Sequence, residues 1–231
     1  MVKLSVIVPA YNEANYIREM LISLRKQTFR DFEIIVKDGQ SSDRTVEIAK
    51  KHVDKIISSR DISISDARNQ GANYANGDIL VFVDADTVLL PNLFQGIYDL
   101  MQNEKIVGGS CRKIPGNKNV LDRLVYELVN LSTYISVYMR VGGAHGNCMF
   151  IRKKIFKEIG GFNPRIRIAE EQELVRKAVR FGKFVFLLDQ HVVEHPRRIQ
   201  KWGRLKLYTI WSKGTISSFK VRKKQIYEKV R

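Results

Sequence analysis

The stretch GDILVFVDADTVLLP, residues 77–91, joins a strand of the core to a pair of acidic residues. Residues 79–83 are five apolar or β-branched residues in a row, which is typical of a strand covered on both faces. Asp84 and Asp86 follow directly, and two carboxylates this close repel each other unless a cation or a water-filled turn relieves them. The stretch therefore predicts a buried strand that ends at a charged edge of a sheet.

The first half of the chain alternates between strand and helix patterns. Strands are predicted at residues 3–11, 32–39, 54–60 and 78–86, and helices at 13–27, 42–53 and 63–77. This alternation predicts a parallel sheet with helices on both faces, in which ligands bind beyond the carboxyl ends of the strands. Asp38 and the pair Asp84 and Asp86 lie at predicted strand ends, so we expect them to share one crevice.

The second half continues with further helices and strands. Helices are predicted at residues 91–104, 121–141, 153–163 and 169–182, and strands at 105–114, 148–153 and 183–195. The turn GGAHGN, residues 142–147, separates the long apolar-rich helix from the next strand. Its glycines permit a close approach of the backbone to a ligand. Repeats and low-complexity tracts are absent from the sequence.

The net charge of +16 is concentrated at the end of the chain. Residues 195–231 hold twelve Lys or Arg and one acid, Glu228, so that this segment alone carries +11. Its large apolar residues interleave with the basic ones: Trp202, Leu205, Tyr208, Trp211 and Phe219. We expect residues 199–231 to form a basic amphipathic helical segment that contacts an acidic lipid surface. Packing on the domain and a dimer contact are the alternatives.

Length and cysteine content restrict the class of protein. A chain of 231 residues can form one large domain with its own core. Two cysteines, Cys111 and Cys148, are too few for a disulfide framework and favour the cytosol. We expect no signal peptide and no transmembrane helix, because the start lacks a cleavage site and no apolar run reaches eighteen residues.

The acidic pair is a candidate site for a hard divalent cation. Mg²⁺ or Mn²⁺ is commonly held by one or two carboxylates, with phosphate and water oxygens completing the shell. A surface turn with two solvated acids is the alternative for any isolated Asp-x-Asp. The position of Asp84 and Asp86 at the mouth of an apolar strand favours the metal site.

Four stretches carry a family resemblance. They are SVIVPAYNEANYIREMLISLRKQ at 5–27, EIIVKDGQSSDRT at 33–45, ARNQGANYANGDILVFVDADT at 67–87 and MFIRKKIFKEIGGFN at 149–163. Together, and in this order, they resemble the inverting glycosyltransferases of family 2, which have the GT-A fold. The resemblance runs from about residue 3 to about residue 195. It implies an α/β, Rossmann-like, mostly parallel sheet with helices on both faces, here followed by the basic amphipathic segment.

The resemblance implies a metal-dependent transfer of a sugar from a UDP- or GDP-sugar to a hydroxyl acceptor, with Mn²⁺ or Mg²⁺ as cofactor. Residues 1–198 would form the catalytic domain, with a nucleotide-sugar half at 1–100 and an acceptor half at 101–198. The basic segment favours a lipid-linked saccharide or polyprenyl phosphate as acceptor, at the cytoplasmic face of a membrane, and no nucleic acid is expected as partner.

Three other classes of protein fit the sequence less well than this function. A non-catalytic membrane- or nucleic-acid-binding module is the main alternative, but it leaves the acids at the strand ends unexplained. Sugar nucleotidyltransferases and Rossmann dehydrogenases are disfavoured, because VPAYNEAN, residues 8–15, lacks their glycine-rich loop.

The resemblance also implies which residues hold the nucleotide. Pro9, Tyr11 and Glu13 would line the pocket, with Tyr11 stacking on the base and Glu13 accepting from the ribose. Asp38 would accept a hydrogen bond from the base. The Asp-Asp-Gly-Ser pattern of the family reads Asp38, Gly39, Gln40, Ser41 here, so its second acid is missing.

The remaining implied roles concern the diphosphate, the metal and the base. Arg68 would face the diphosphate. In the triplet Asp84-Ala85-Asp86, Asp84 would touch ribose or metal and Asp86 would bind the metal directly. His195 would complete the metal shell.

The segment AEEQEL, residues 169–174, resembles the Glu-Asp-x-Asp-Leu motif of the family. It implies Glu171 as the general base, with Glu170 as the competing candidate. The alternative is a solvated acidic helix start, because carboxylates are stabilised at the N-terminus of a helix.

Overall fold

The computed structural model describes residues 2–166, 168–197, 199, 203, 206 and 209, and an eight-stranded mixed sheet forms its centre. The strands are β1 (Leu4–Ala10), β2 (Phe32–Asp38), β3 (Lys55–Ser58), β4 (Ile79–Val83), β5 (Thr87–Leu89), β6 (Ile106–Pro115), β7 (Cys148–Arg152) and β8 (Lys183–Glu194). The helices are α1 (Ile17–Arg25), α2 (Thr45–Ala49), α3 (Ile64–Asn73), α4 (Leu93–Met101), α5 (Val120–Tyr138), α6 (Lys153–Glu158) and α7 (Glu170–Ala178).

The first four strands form the parallel part of the sheet. The strand order is β3-β2-β1-β4-β7-β6-β8-β5, and β1 pairs in parallel with both β2 and β4. The carboxyl ends of β2 and β4 therefore lie at the same edge, on either side of the end of β1. This pairing confirms that these strand ends share one edge of the sheet, whereas a common crevice for Asp38 and the acids after β4 stays a prediction.

The rest of the sheet is mixed rather than parallel. Strand β7 lies between β4 and β6 and is antiparallel to both, whereas β8 is parallel to β6. The short strand β5, which the sequence analysis did not predict, closes the edge by pairing antiparallel to β8. Hydrophobic periodicity reports burial but not strand direction, and the long connections here allow either direction.

Both faces of the sheet are covered. Along β1, Val6 and Val8 pack into one apolar cluster together with the buried residues of α1 and α4. Ile7, which points the other way, packs into a second cluster that includes residues of α6 and α7. The prediction of a sheet between two helical layers is thereby confirmed.

Helix α2 is shorter than the sequence predicted. It spans Thr45–Ala49 instead of residues 42–53, and Asp43 accepts a hydrogen bond from the backbone N–H of Thr45 at 2.9 Å. The basic segment at 199–231, for which a helix was predicted, lies outside the residues that the structure describes except for four isolated positions. None of the helices in the described ranges is both long and apolar enough to cross a membrane.

Candidate active site

Two loops that leave β1 and β2 are held together at the charged edge. The backbone N–H of Asn12 donates to Ser41 Oγ at 2.8 Å, and that of Glu13 donates to Thr45 Oγ1 at 2.7 Å. Asn12 has a φ of 54°, in the left-handed region, where Asn is tolerated better than most residues. These bonds fix the direction in which the chain turns away from the sheet, and they bury the side chain of Glu13.

The carboxylate of Asp38 is buried between the ends of β2 and β3. It accepts hydrogen bonds from Ser58 Oγ at 2.9 Å and from the backbone N–H of Ser41 at 3.1 Å. Tyr11 lies nearby, since a Cβ placed on Gly39 would lie 3.4 Å from its ring. Tyr11 and Asp38 therefore lie at one wall of the site. Pro9 is near the end of β1, the strand that lies between Asp38 on β2 and Asp84 after β4.

An ion pair that the sequence analysis missed lies beneath this wall. Lys37 is fully buried, and its Nζ lies 3.6 Å from Asp61 Oδ2 and donates to the carbonyl oxygens of Asp38 and Ser59. A Cβ on Gly39 would lie only 2.6 Å from Asp61 Oδ2. Asp61 thus fills the space of the side chain that is missing at Gly39, which gives a physical reason for the departure from the Asp-Asp-Gly-Ser pattern. The presence of the charged Lys37 within an apolar strand was the sequence signal that could have indicated this ion pair.

Arg68 is the centre of a buried ion-pair cluster. Helix α3 packs close to β1, and Arg68 lies on its inner face with 2% of its side chain exposed. Its guanidinium donates to Asp84 Oδ1 at 3.0 Å, to Glu170 Oε1 at 2.9 Å and to Glu171 Oε1 at 3.4 Å. It also donates to the carbonyl oxygen of Gly146 at 3.0 Å. One cation therefore links the edge of β4 to the start of α7.

The two glutamates at the start of α7 differ in environment. Burial, together with the neighbouring carboxylate of Glu171, raises the pKa of Glu170 to about 8, although Arg68 opposes the shift. The side chain of Glu171 is more exposed, at 15% against 8% for Glu170. A Cβ on Gly146 would lie 1.9 Å from Glu171 Oε1, so only glycine allows this loop to approach the carboxylate.

A second arginine, Arg197, occupies the other end of the acidic edge. Its Nη1 donates to Glu13 Oε2 at 2.5 Å, and its Nε lies 2.6 Å from Asp86 Oδ2. The guanidinium also lies 5.1 Å above the ring centre of Tyr16, in a cation–π contact. Arg197 was not among the predicted site residues, and the pair of arginines at positions 197 and 198 was the signal that could have indicated it.

The backbone of His195 lies beside that of Asp86, while its implied role as a metal ligand stays a prediction. Its backbone N–H donates to the carbonyl oxygen of Asp86 at 3.0 Å, and its ring lies 4.5 Å from that of Tyr16. The buried Nδ1 atom of His195 has no hydrogen-bond partner within the part of the chain that the structure describes. His145, by contrast, is held by Asn130 at 3.1 Å and packs against Phe186, which is a structural role.

The residues around Asp86 include side chains that could bind a divalent cation. The carboxylate of Asp86 and the unpartnered Nδ1 of His195 are donors of the right chemistry, with Asp84 one residue from Asp86. Across the described ranges, however, no three Asp, Glu, His or Cys side chains are already gathered as a metal site. Arg68 and Arg197 lie against Asp84 and Asp86 in this arrangement, so the donors fit a cation once Arg197 releases Asp86.

A family model described as glycosyl transferase family 2 matches residues 5–160. Among curated proteins, a probable glycosyltransferase of Bacillus subtilis (strain 168), YdaM, is 27% identical over 97% of this chain. The chain spans 60% of the length of that relative.

Two solved structures show the same fold. S. aureus TarS 1–349 in complex with UDP-GlcNAc matches with a TM-score of 0.67 and 21% identity over 84% of this chain and 58% of its own. The mannosyltransferase PcManGT from Pyrobaculum calidifontis, in complex with GDP-Man and Mn²⁺, matches with a TM-score of 0.67 and 20% identity over 84% of this chain and 56% of its own. This likeness establishes the GT-A fold.

Proposed function

The chain belongs to glycosyl transferase family 2, and from this premise we propose that it transfers a sugar from a nucleotide-diphosphate sugar to a hydroxyl acceptor, with inversion at the anomeric carbon. The observation that carries the proposal is the Arg68 cluster. It joins Asp84, at the end of the nucleotide half, to Glu170 and Glu171, at the acceptor half. Donor and acceptor groups would meet at this junction.

Glu171 is the proposed general base. At neutral pH the raised pKa of Glu170 keeps that carboxyl largely protonated, so it is a poor proton acceptor. Glu171 is the more exposed of the two and lies against the Gly146 loop, where an acceptor hydroxyl can reach it. It would take the hydroxyl proton while the acceptor oxygen attacks the anomeric carbon, and the bond from that carbon to the diphosphate oxygen would break on the opposite side.

The nucleotide would lie along the ends of β1 and β2. Tyr11 offers an aromatic face for the base, and the buried Asp38 offers an acceptor for a base N–H. Glu13 is the proposed acceptor for a ribose hydroxyl. Both UDP- and GDP-sugars are candidate donors, since the two structures compared above hold UDP-GlcNAc and GDP-Man.

Arg68 is proposed to act chiefly by positioning the acids around it. Both of its terminal nitrogens are engaged by carboxylates and by the Gly146 carbonyl. The direct contact with the diphosphate that the resemblance implies remains a prediction. It would require one of these partners to be released when the donor binds.

A divalent cation, Mn²⁺ or Mg²⁺, is proposed at Asp86, with Asp84 and His195 as further donors. When bound, it would supply positive charge to the diphosphate as that group leaves. Arg197 would then have to release Asp86, while its contact with Glu13 and with the ring of Tyr16 could remain. The negative charge of Asp86 would thus be balanced by the Arg197 guanidinium before the metal binds and by the metal afterwards.

The acceptor is proposed to be a lipid-linked saccharide or polyprenyl phosphate at the cytoplasmic face of a membrane. The basic, aromatic residues of 199–231 support this choice, because such segments bind acidic lipid surfaces.

The test of the proposed function is a thermal-shift screen against UDP- and GDP-sugars, with and without Mn²⁺, followed by transfer assays with the donor that stabilises the protein. We expect one nucleotide class to raise the melting temperature, and more so with Mn²⁺. If no nucleotide sugar raises the melting temperature, either with or without Mn²⁺, the proposal is contradicted. Retention of the anomeric configuration in the product would disprove the inverting mechanism.

A further inference from the structure

Helix α5 has its polar side inward and its apolar side outward. The inner face buries Asp122, Asn130 and Thr133 beside Tyr126 and Val137. The outer face carries six apolar residues at alternating intervals of three and four, each between 46% and 80% exposed: Leu121, Leu124, Leu128, Leu131, Ile135 and Tyr138. We refer to these six residues as the outer stripe. An amphipathic helix on a domain normally has the reverse orientation.

The inversion has a structural cause on the inner side. The side chain of Asn130 accepts from the backbone N–H of Lys113 at 3.1 Å and donates to its carbonyl oxygen at 2.9 Å, as a strand would. The carbonyl oxygen of Thr133 lies 2.9 Å from where a Cβ on Gly143 would be. The polar face is therefore committed to β6 and to the turn at 142–147, and the apolar face is left outside.

The outer stripe forms a contiguous apolar surface, unlike the single exposed apolar residues that are common on proteins. Nineteen residues of helix extend about 28 Å at 1.5 Å per residue. Contiguous exposed apolar surface of this kind marks an interaction surface. Three occupants are conceivable: a second copy of the chain, the segment 199–231, and a lipid bilayer.

Charge distinguishes between these occupants. The exposed charged residues on and beside the helix are the basic Lys118, Arg123 and Arg140, while Glu127 is paired with Arg112. A second copy docked through the same helix would bring its own Lys118, Arg123 and Arg140 close to these residues, and the segment 199–231 would bring a further excess of Lys and Arg. An acidic lipid surface complements both the apolar stripe and the basic residues around it.

We propose that the outer stripe of α5 docks into the headgroup region of an acidic lipid bilayer. This surface is distinct from the segment 199–231, and the docking itself does not depend on the proposed transferase activity. The turn at 142–147 packs against the helix at Gly143 and carries Gly146, whose carbonyl accepts from Arg68. Docking would therefore orient the acceptor side of the site toward the membrane, about one helix diameter, roughly 10 Å, from its surface.

The test is flotation of the full chain with two kinds of vesicle. One is phosphatidylcholine alone, and the other also contains about 30% phosphatidylglycerol, which makes its surface acidic. The variant L124E/L128E places two acids in the stripe. The matched control Y74E/F181E makes the same change of charge at two exposed aromatic residues outside it. We expect wild type and control to float equally with acidic vesicles. The stripe variant should lose most of the bound fraction, and the basic segment 199–231 would account for any binding that remains.

Two outcomes of this comparison would overturn the proposal. One is equal flotation of the stripe variant and the control. The other is binding of wild type to phosphatidylcholine alone as strong as to the acidic mixture. Size-exclusion chromatography with light scattering, without lipid, supplies a third: a wild-type dimer that L124E/L128E converts to a monomer would assign the stripe to a second copy.

Site-specific labelling gives an independent readout. Both native cysteines are buried, so Leu128→Cys can be labelled selectively with an environment-sensitive fluorophore, and Lys51→Cys on the surface near α2 serves as the control. We expect a blue shift on acidic vesicles at position 128 and none at position 51. Equal shifts at both positions, or none at 128, would contradict docking through α5. Thermal shifts with nucleotide sugars test the proposed function separately.

Discussion

At the scale of single residues, Glu170 and Glu171 show how neighbouring carboxyls acquire different chemistry. Both begin helix α7, directly after Ala169 in the left-handed conformation at φ 60°. Their distance from solvent differs, because Glu170 points toward the buried guanidinium of Arg68 while Glu171 lies against the Gly146 loop. Burial opposes the charged form of a carboxyl, so the inner residue keeps its proton more readily.

The substitution Glu171→Gln should remove the proposed base. We expect it to lower kcat by at least about 100-fold, since general bases typically contribute 10²- to 10⁴-fold, and to leave donor affinity nearly unchanged. Initial rates and calorimetric titration with the nucleotide sugar measure the two quantities. Glu170→Gln is the matched control and should reduce kcat less. The reverse order would assign the base to Glu170.

The raised pKa of Glu170 also predicts a dependence of stability on pH. The folded state holds this proton up to about pH 8, whereas the unfolded state releases it near pH 4.5. The stabilisation is therefore fully present below pH 4.5 and is lost as the pH rises through about 8. Between pH 5 and pH 8.5 the melting temperature of wild type should fall by at least about 5 °C more than that of Glu170→Gln. Parallel curves for the two proteins would contradict this protonation state.

At the scale of secondary-structure elements, the Arg68 cluster attaches α7 to α3 and β4. Arg68 and Glu170 are 102 positions apart in the chain, Arg68 and Asp84 are 16 apart, and a single guanidinium joins all three. A buried cation of this kind is costly to remove, because its removal leaves carboxylates uncompensated in a medium of low polarity.

The variant Arg68→Met should therefore lose on the order of 3 kcal/mol of unfolding free energy. Urea denaturation, followed by circular dichroism, measures the change. Arg44→Met is the control: its ion pair with Glu47 has comparable geometry, at 2.9 Å, but is exposed to solvent, so we expect no measurable effect. A change in Arg68→Met as small as in Arg44→Met would show that the cluster contributes little to stability.

At the scale of the whole molecule, Arg197 ties together three distant parts of the chain. It follows β8 and reaches both Glu13, after β1, and Asp86, after β4. The proposed metal uses the same carboxylate of Asp86. Cation and guanidinium would therefore compete, and the conformation of the chain after β8 would be coupled to metal binding.

Removal of this competitor should strengthen metal binding. We expect Arg197→Ala to bind Mn²⁺ at least about fivefold more tightly than wild type in the absence of donor, measured by electron paramagnetic resonance of free Mn²⁺. Asp86→Ala should abolish the binding in both backgrounds. Weaker Mn²⁺ binding in Arg197→Ala would indicate that Arg197 supports the site rather than occupying it.

The sequence alone determined the strand and helix alternation of the first half, the burial of the strand at 79–83 and the position of the acids at its end. These features follow from local composition and from the periodicity of apolar residues, which neighbouring positions encode. The family likewise follows from the order of four motifs. The sequence also shows that Gly39 replaces the second acid of the family pattern, but it does not show why.

The tertiary structure decided the rest, because it depends on contacts between positions far apart in the chain. Asp61 fills the space at Gly39, Arg68 and Arg197 pair with the predicted acids, and β7 joins two parts of the sheet in the antiparallel direction. Helix α5 is the clearest case. Its sequence predicts an apolar-rich helix, but only the hydrogen bonds of Asn130 to β6 determine that the polar face turns inward.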